Sequence, residues 1–196
     1  MVIGVTGGMG CGKSTVSRVL ADKLNAPILD ADRIAHSAFS CRQILDDLCV
    51  FLGNDIVDKN GDVDKKKISD IVFADTAKLE KLNSLIHPFV MNSIREQIDV
   101  LSKTSEFIIV DIPLPNDDFV DLSDFIITVW ADLDIRIERI LTRSNLSRDE
   151  VIARIKKQMS QDEYETLADV VIYNNGNVEE LINKINNVFE KIKTSQ

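Results

Sequence analysis

Five short apolar runs divide this chain, and the segments between them carry apolar residues at spacings of three and four positions. Short apolar runs are typical of buried β-strands, whereas the longer spacing is typical of helices that pack through one face. Strands that alternate with helical segments predict a parallel sheet joined by right-handed crossovers. The predicted fold class is therefore α/β, with strands at residues 2–5, 28–29, 107–110, 125–130 and 170–173.

The longest helical stretch, residues 33–105, contains no second strand, turn and helix unit. We interpret it as an insertion between the second and third strands, with a turn at 58–62 where Asp, Asn and Gly cluster. Its last part has helical spacing from residue 75 to 101 but is interrupted by His87-Pro88. Because proline disfavours α geometry in the preceding residue and lacks an N–H donor, the helix is expected to kink or restart there.

Size, composition and charge limit the class of protein. A chain of 196 residues with 44% hydrophobic residues is sufficient for one α/β domain with a small insertion. The net charge of -9 argues against a nucleic-acid partner, because an acidic surface repels the phosphate backbone. No apolar run approaches membrane-spanning length, so no membrane partner is expected. Cys11, Cys41 and Cys49 form no CxxC pair and favour neither zinc nor disulfides, which fits a cytoplasmic protein.

A glycine-rich motif directly follows the first strand and reads Gly7-Gly8-Met9-Gly10-Cys11-Gly12-Lys13-Ser14. A loop that links a strand to a helix in this way directs backbone N–H groups and the positive helix end at one small volume, which suits phosphate. Lys13 is expected to face solvent and contact only phosphate, Ser14 to hold Mg²⁺, and Thr15 to reach the α phosphate. A plain glycine-rich turn would not explain why Lys and Ser follow the last Gly at the required spacing.

The turn after the fifth strand is expected to complete a nucleotide site. It reads Asn174-Asn175-Gly176 and is expected beside the phosphate loop, where it could lie against the adenine of ATP. The predicted ATP-binding residues are Gly8, Met9, Gly10, Cys11, Gly12, Lys13, Ser14, Thr15, Asn175 and Gly176.

Acidic residues stand where the second and third strands end. Asp30 and Asp32 follow the strand at 28–29, and Asp111 ends the run at 107–110. Ligands of open α/β sheets bind at these ends, so Asp32 is a candidate catalytic carboxylate and Asp111 a candidate Mg²⁺ ligand, directly or through water. Structural alternatives stay open, since Asp30 could cap a helix that begins near Arg33 and Asp111 could fix the phosphate loop.

Basic residues collect in the second half of this acidic chain. Arg136, Arg139 and Arg143 recur three and four positions apart and are expected to share one helix face. Phosphoryl transfer between anionic substrates requires cationic clamps, which this cluster would supply, although a solvated helix face is the alternative. His87 is either a substrate ligand or a packing or capping residue beside the helix break.

Taken together, these motifs make the chain resemble the dephospho-CoA kinases. A phosphate loop alone is shared by many kinases and NTPases, whereas the combination is specific and covers nearly the whole chain in the family's order. The matching pieces are the loop from Thr6 to Thr15, Asp30-Ala31-Asp32, Gly61 with Asp64, Val72-Phe73, His87-Pro88, Asp111-Ile112-Pro113-Leu114, Arg139 with Arg143, Gln158, Ala168-Asp169 and Asn174 to Gly176.

The resemblance implies a three-layer P-loop kinase fold with a five-stranded parallel sheet. Its core would cover about 1–32, 106–142 and 166–196, with a helical CoA-binding insertion at about 33–105 and a helical lid at about 143–165. The implied reaction passes the γ-phosphoryl group of ATP, with Mg²⁺, to the ribose 3′-hydroxyl of dephospho-CoA and gives CoA and ADP.

The resemblance also implies roles for individual residues. Asp32 would act as the general base, Lys13 would offset charge on the transferring group, and Arg139 with Arg143 would clamp phosphates as the lid closes. The implied substrate-binding residues are Asp32, His87, Asp111, Pro113 and Leu114, and the implied metal ligands are Ser14 and Asp111.

Several positions depart from the family's pattern on the acceptor and lid sides. Pro115-Asn116-Asp117 stands where the family usually has Leu-Phe-Glu, Met91 where an Arg often follows His-Pro, and Tyr164 where the lid often has Lys. The alternatives are a P-loop kinase for another small hydroxyl substrate and a nucleotide-binding module with weakened catalysis. A monomer or weak homo-oligomer is expected.

Overall fold

The structure, a computed structural model, describes residues 1–58 and 63–194. Each predicted strand is present within one residue of its expected bounds, and the turn expected at 58–62 lies largely outside the described residues. The strands are β1 (Val2–Thr6), β2 (Ile28–Asp30), β3 (Ile108–Asp111), β4 (Phe125–Trp130) and β5 (Val170–Tyr173). The helices are α1 (Lys13–Leu24), α2 (Ala31–Ala38), α3 (Arg42–Leu52), α4 (Lys65–Phe73), α5 (Thr76–Leu101), α6 (Asp117–Leu122), α7 (Leu133–Arg143), α8 (Arg148–Ile155), α9 (Gln161–Thr166) and α10 (Val178–Thr194), with a short 3₁₀ helix at Asn54–Ile56.

The strands form one parallel sheet in the order β2-β3-β1-β4-β5, which confirms the predicted α/β fold class. In this register Val5 pairs with Asp111, and Asp30 pairs with Asp111 on the other side. The carboxyl ends of β1, β2 and β3 therefore meet at one edge, where the loop after β1 and the acidic residues were expected.

Side chains that alternate along the strands bury both faces of the sheet. On one face Ile3 and Val5 pack with α1 and α10. On the other face Gly4 lies against Phe119 of α6, since a Cβ on this glycine would stand 2.6 Å from the Phe119 ring. Thr128 also points to this second face, where its hydroxyl donates to the carbonyl oxygen of Tyr164 in α9 at 2.9 Å. The alternation of side chains along each strand thus explains why helices pack on both faces of the sheet.

The chain divides into two compact units, one formed by Met1–Asp30 with Arg95–Gln196 and the other by Ala31–Ile94. The second unit has its own buried side chains on α2, α3, α4 and α5. Asp64 begins α4 by accepting a hydrogen bond from the Lys67 N–H at 2.9 Å, and the Lys67 ammonium forms an ion pair with Asp55 at 2.6 Å. An N-cap of this kind satisfies a donor that the first helical turn leaves unpaired.

Helix α5 runs without a break from Thr76 to Leu101. Of the kink or restart expected at His87-Pro88, the restart is therefore wrong. An internal proline costs about 3 kcal/mol, chiefly through one lost hydrogen bond and a ring clash. Packing on both sides of Pro88 offsets this cost, because Ile86, Val90 and Met91 are buried along the same helix. Met91, which departs from the family's usual Arg, is thus a buried packing residue. Although α5 has 26 residues, neither it nor another helix in the described ranges is apolar over a stretch long enough to cross a bilayer.

Candidate active site

The loop between β1 and α1 has a backbone that only glycine adopts easily at three positions, Gly7, Gly10 and Gly12. Gly10 has φ 83° and Gly12 has φ 96°. A Cβ on Gly12 would lie 2.3 Å from the Asn174 Nδ2 atom, and one on Gly10 would lie 2.7 Å from the Arg136 carbonyl oxygen. Both conformation and space therefore require glycine, and the loop leads directly into the N-terminus of α1. This arrangement of backbone N–H groups and a helix N-terminus suits an anionic phosphate group.

Lys13 forms an ion pair with Asp111 at the end of β3. The second oxygen of this carboxylate accepts a hydrogen bond from the Ser17 hydroxyl at 2.7 Å, and Asp111 is only 5% exposed. The expectation that Lys13 faces solvent and contacts only phosphate is wrong, because its side chain is 12% exposed. The physical reason is that a buried carboxylate at the strand end requires a cation and hydrogen-bond donors.

Ser14 and Thr15 begin α1 beside this pair. Ser14 is exposed, and its carbonyl oxygen accepts a hydrogen bond from Arg18 Nε at 3.0 Å. Thr15 is half-buried and lines a cavity described below. Cys11 is fully buried within the loop, and this burial raises the pKa of its thiol. A neutral, inaccessible thiol acts here as a small packing group.

Arg136 lies beneath the phosphate loop and does not share an exposed face with Arg139 and Arg143. It is 2% exposed, and its Nε donates to the Met9 carbonyl oxygen at 2.8 Å. The spacing does place the three arginines on one side of α7, where Arg136 and Arg139 both donate to carbonyl oxygens of the loop, but Arg136 is buried there beside Ile137 and does not face solvent. Burial also lowers the pKa of the Arg136 guanidinium.

Gln158 completes the contacts of Arg136 with the loop. Its Oε1 atom accepts from Arg136 at 2.9 Å and from the Met9 N–H at 2.9 Å. Both polar groups of the Met9 backbone are thus held by side chains from outside the loop. Gln158 matched the family motif, but the spacing of residues alone carried no signal of these bonds.

A second group of side chains fixes the other side of the loop. Asn174 is buried, and its Nδ2 donates to the Cys11 carbonyl oxygen at 2.8 Å. Arg139 donates to the same oxygen at 3.5 Å and to the Asn174 side chain at 3.4 Å. Asn175 was the amide selected from the sequence, yet it is exposed and accepts from the Asp132 N–H at the start of α7 at 2.9 Å. The contact of Asn175 with the nucleotide stays a prediction, whereas the sequence pattern carried no signal of the bond between Asn174 and the loop.

A cavity of about 340 Å³ opens beside the loop and joins the loop, α7 and the start of α10. Arg143 borders it, and its Nε donates to the Arg139 carbonyl oxygen at 3.0 Å. A volume of this size is in the range of small-ligand pockets. The lining residues include Gly10, Gly12, Thr15, Arg139, Arg143 and Gly176.

The predicted acceptor-side residues fall in different places. Asp32 is exposed in the first turn of α2 and lines a cavity of about 370 Å³ within the second unit. His87 is exposed on α5 and is not among the residues that line this cavity. Leu114 is 45% exposed in the first unit, where Pro113 accepts a hydrogen bond through its carbonyl oxygen.

Tyr164 provides that hydrogen bond, with its hydroxyl 2.9 Å from the Pro113 oxygen. The residue is fully buried in α9, beside the Trp130 ring at a centroid distance of 6.1 Å. The departure from the family's usual Lys therefore fills a packing position. In the predicted lid segment, α8 likewise packs Val151 and Ile155 against α7.

We expect Tyr164→Phe to lower the free energy of unfolding by about 1–2 kcal/mol, because the partly buried Pro113 carbonyl loses its donor. Burial raises the pKa of Tyr164 to about 12, above the value of about 10 in an unfolded chain. The neutral phenol thus stabilises the fold below pH 10, and this contribution is lost as the pH rises toward 12.

Urea unfolding at pH 7 and pH 11 measures both effects. The wild type should lose more stability than Tyr164→Phe between these pH values. Tyr173→Phe is the control at pH 7, because its exposed hydroxyl donates to Glu165 on the surface. Equal stability of Tyr164→Phe and the wild type at pH 7 would show that the hydrogen bond from Tyr164 to Pro113 contributes nothing.

A parallel α/β sheet with a glycine loop, a paired lysine and a cationic cavity defines this protein as a P-loop kinase. The dephospho-CoA kinase family matches residues 1–180. The chain is 41% identical over 193 residues to the dephospho-CoA kinase of Fusobacterium nucleatum, which covers 98% of both chains. It is 38% identical over 201 residues to that of Carboxydothermus hydrogenoformans, which covers 98% of this chain and 94% of the relative.

A solved structure gives the same result. The dephospho-CoA kinase from Campylobacter jejuni aligns with a TM-score of 0.73 and 25% identity, covering 99% of this chain and 98% of that one. The chain belongs to the dephospho-CoA kinase family.

Proposed function

We propose that this chain transfers the γ-phosphoryl group of ATP to the ribose 3′-hydroxyl of dephospho-CoA, giving CoA and ADP. The observation that carries the proposal is the preformed phosphate loop, with Lys13 paired to Asp111, in a chain that matches this family over residues 1–180. We place the reaction in the cytoplasm, on a monomer or weak homo-oligomer, without a nucleic-acid or membrane partner.

In this proposal the loop backbone binds the phosphates of ATP, and Lys13 contacts the transferring group. The cavity beside the loop takes the nucleoside, with Thr15 and Gly176 in its wall. Arg139 is already oriented by its bonds to Cys11 and Asn174, so it presents a cation at the cavity without further ordering.

Mg²⁺ fits the donors at the start of α1 and the end of β3. The Ser14 hydroxyl and the Asp111 carboxylate are hard oxygen ligands of the kind that Mg²⁺ prefers, and the remaining positions would be filled by phosphate oxygens and water. Among the described residues no group of three or more His, Cys, Asp or Glu side chains could hold a metal. When bound, the ion would offset negative charge on the β and γ phosphates.

Arg139→Ala and Arg143→Ala should each lower kcat by roughly 10- to 100-fold while raising the Kd for ATP only slightly, because clamping charges act most strongly in the transition state. Arg139 should show the larger effect, since its guanidinium is held against the loop. Steady-state kinetics and equilibrium ATP binding give the two quantities.

Arg148→Ala is the matched control, because this exposed guanidinium does not line the cavity and pairs with Asp134 on the surface at 3.1 Å. Unchanged turnover in both cavity variants would show that Arg139 and Arg143 belong to a solvated helix face.

We further propose that the unit Ala31–Ile94 binds the acceptor, in its cavity of about 370 Å³. Asp32 stands on the cavity wall, and Lys65 borders it with its ammonium 5.8 Å from the Phe39 ring centroid. A carboxylate could orient a ribose hydroxyl, and a cation over an apolar wall suits the pyrophosphate of a large, partly apolar acceptor.

Lys65→Met should therefore raise the KM for dephospho-CoA by roughly tenfold with little change in kcat, as expected for the loss of one charge-assisted contact. Lys66→Met is the control, because Lys66 is exposed on the same helix and does not line the cavity. The same KM in both variants would remove Lys65 from the acceptor site.

The proposal is tested directly with purified protein, ATP, Mg²⁺ and dephospho-CoA, with CoA and ADP measured as products. A parallel series with nucleosides, sugars and shikimate tests the alternative of another hydroxyl acceptor. Formation of CoA at a rate well above that with the other acceptors is the expected result. Nucleotide binding without transfer to any acceptor would instead support a binding module with weakened catalysis.

A further inference from the structure

Arg136 places a positive charge directly behind the phosphate loop. Its guanidinium donates to the Met9 carbonyl oxygen and to Gln158 Oε1, and its Cζ lies 4.8 Å from the centroid of the Trp130 ring. Each of these partners is neutral. Across residues 1–58 and 63–194, no Asp or Glu forms an ion pair with this guanidinium.

A buried cation without a counterion is costly to a folded protein. Desolvation lowers the pKa of Arg136, but arginine remains protonated in proteins. At 2% exposure the charge is also poorly screened by solvent. A bound anion near this position would offset part of that cost.

The geometry places the charge against the part of the loop that would hold phosphate. A Cβ on Gly8 would lie 2.3 Å from an Arg136 guanidinium nitrogen and 2.9 Å from Arg136 Cζ. The guanidinium therefore lies immediately behind the Gly8 backbone. It is also held rigidly, because the bonds through Met9 and Gln158 form a closed set.

Gln158 is a neutral amide, so it binds Arg136 without neutralising its charge. Its single Oε1 atom accepts from both Arg136 and the Met9 N–H. A carboxylate at this position could accept the same two hydrogen bonds and would neutralise the guanidinium. The amide therefore supplies the bonds without the negative charge.

We propose that Arg136 is a positioning residue whose fixed positive charge strengthens polyphosphate binding from behind the loop, and that Gln158 holds the loop while leaving this charge available. The inference rests on the proposed nucleotide site but not on the identity of the acceptor. It differs from the roles of Arg139 and Arg143, which border the cavity itself.

The variant Q158E keeps both hydrogen-bond acceptors at this position but adds a negative charge beside Arg136, so it tests the charge separately from the hydrogen bonds. It should fold with an unfolding temperature equal to or above that of the wild type, because the new carboxylate pairs with Arg136. Its Kd for ATP should nevertheless rise by roughly tenfold, since a unit charge in this low-dielectric position is cancelled. Q158M removes the bonds but leaves the charge, so it should unfold at a lower temperature and lose less ATP affinity than Q158E.

Calorimetric titration with ATP and thermal unfolding measure both quantities on the full chain. Wild-type ATP affinity in Q158E, or equal losses in Q158E and Q158M, would overturn the role of the charge. A wild type that binds no ATP would instead count against the proposed nucleotide site.

A second pair of variants decides the matter if Q158E does not fold. R136K keeps a charge and R136M does not, although both lose the planar guanidinium and its bonds. The Kd of R136K for ATP should lie at least several-fold below that of R136M. Equal affinities in this pair would show that Arg136 only supports the loop mechanically.

Discussion

Lys13→Met should lower phosphoryl transfer by roughly three orders of magnitude, as expected when a preorganised charge on the transferring group is removed. The variant should also be less stable than the wild type. Lys13 is the ion-pair partner of Asp111, and the two side chains are only 12% and 6% exposed. Removing one member of such a pair leaves a buried charge, which costs about 3 kcal/mol.

The double variant Lys13→Met with Asp111→Asn, measured beside Asp111→Asn alone because Asp111 is also a proposed Mg²⁺ ligand, separates stability from catalysis. It removes the uncompensated carboxylate while keeping an acceptor for the Ser17 hydroxyl. In the wild type this hydroxyl lies 2.7 Å from Asp111 Oδ2. Its free energy of unfolding should return toward the wild-type value, whereas its turnover should stay as low as that of Lys13→Met. Recovery of turnover together with stability would mean that Lys13 acts only by supporting the fold.

The sheet and the phosphate loop were predictable because their signals are local. Each buried strand is an uninterrupted apolar run, and the loop motif has fixed spacing between Gly7 and Ser14. Gly10 and Gly12 were among the predicted ATP-binding residues, and the structure adds positive φ angles and neighbours that exclude a Cβ. Local patterns thus gave both the architecture and the position of the site.

The contacts that hold the site together were not predictable, because they join distant parts of the chain. Ser17 and Asp111 are separated by 94 positions, and Met9 and Gln158 by 149. Spacing within α7 correctly indicated a helix, but helical periodicity alone could not show that Arg136 points inward. Its burial depends on the Trp130 ring and the Gln158 amide, which come from other elements.

The continuous α5 helix shows a second limit of local reasoning. Pro88 does lack the backbone N–H donor, but the prediction from the His-Pro dipeptide considered only the local cost of this proline in a helix. Burial of Ile86, Val90 and Ile94 along the same helix supplies a free energy that the dipeptide does not contain. Tertiary packing therefore decided the outcome at this position.

Asp32→Asn should leave the binding of ATP and dephospho-CoA nearly unchanged while turnover falls by roughly two to four orders of magnitude, the range for a positioned general base. The substitution keeps the size of the side chain and some hydrogen bonding but removes the proton acceptor. Asp32 lies in the first turn of α2, directly after the carboxyl end of β2, and borders the proposed acceptor cavity. In a loose transition state the carboxylate would chiefly orient the ribose hydroxyl and accept its proton late.

Asp30→Asn is the matched control, because Asp30 ends β2, in register with Asp111, and does not line that cavity. It should cost much less turnover than Asp32→Asn. Turnover and both binding constants for the two variants, measured side by side, separate catalysis from binding. Equal losses in the two variants, or an Asp32 variant that only weakens binding, would assign the proton acceptor to another residue, since a base must affect the chemical step more than the ground state.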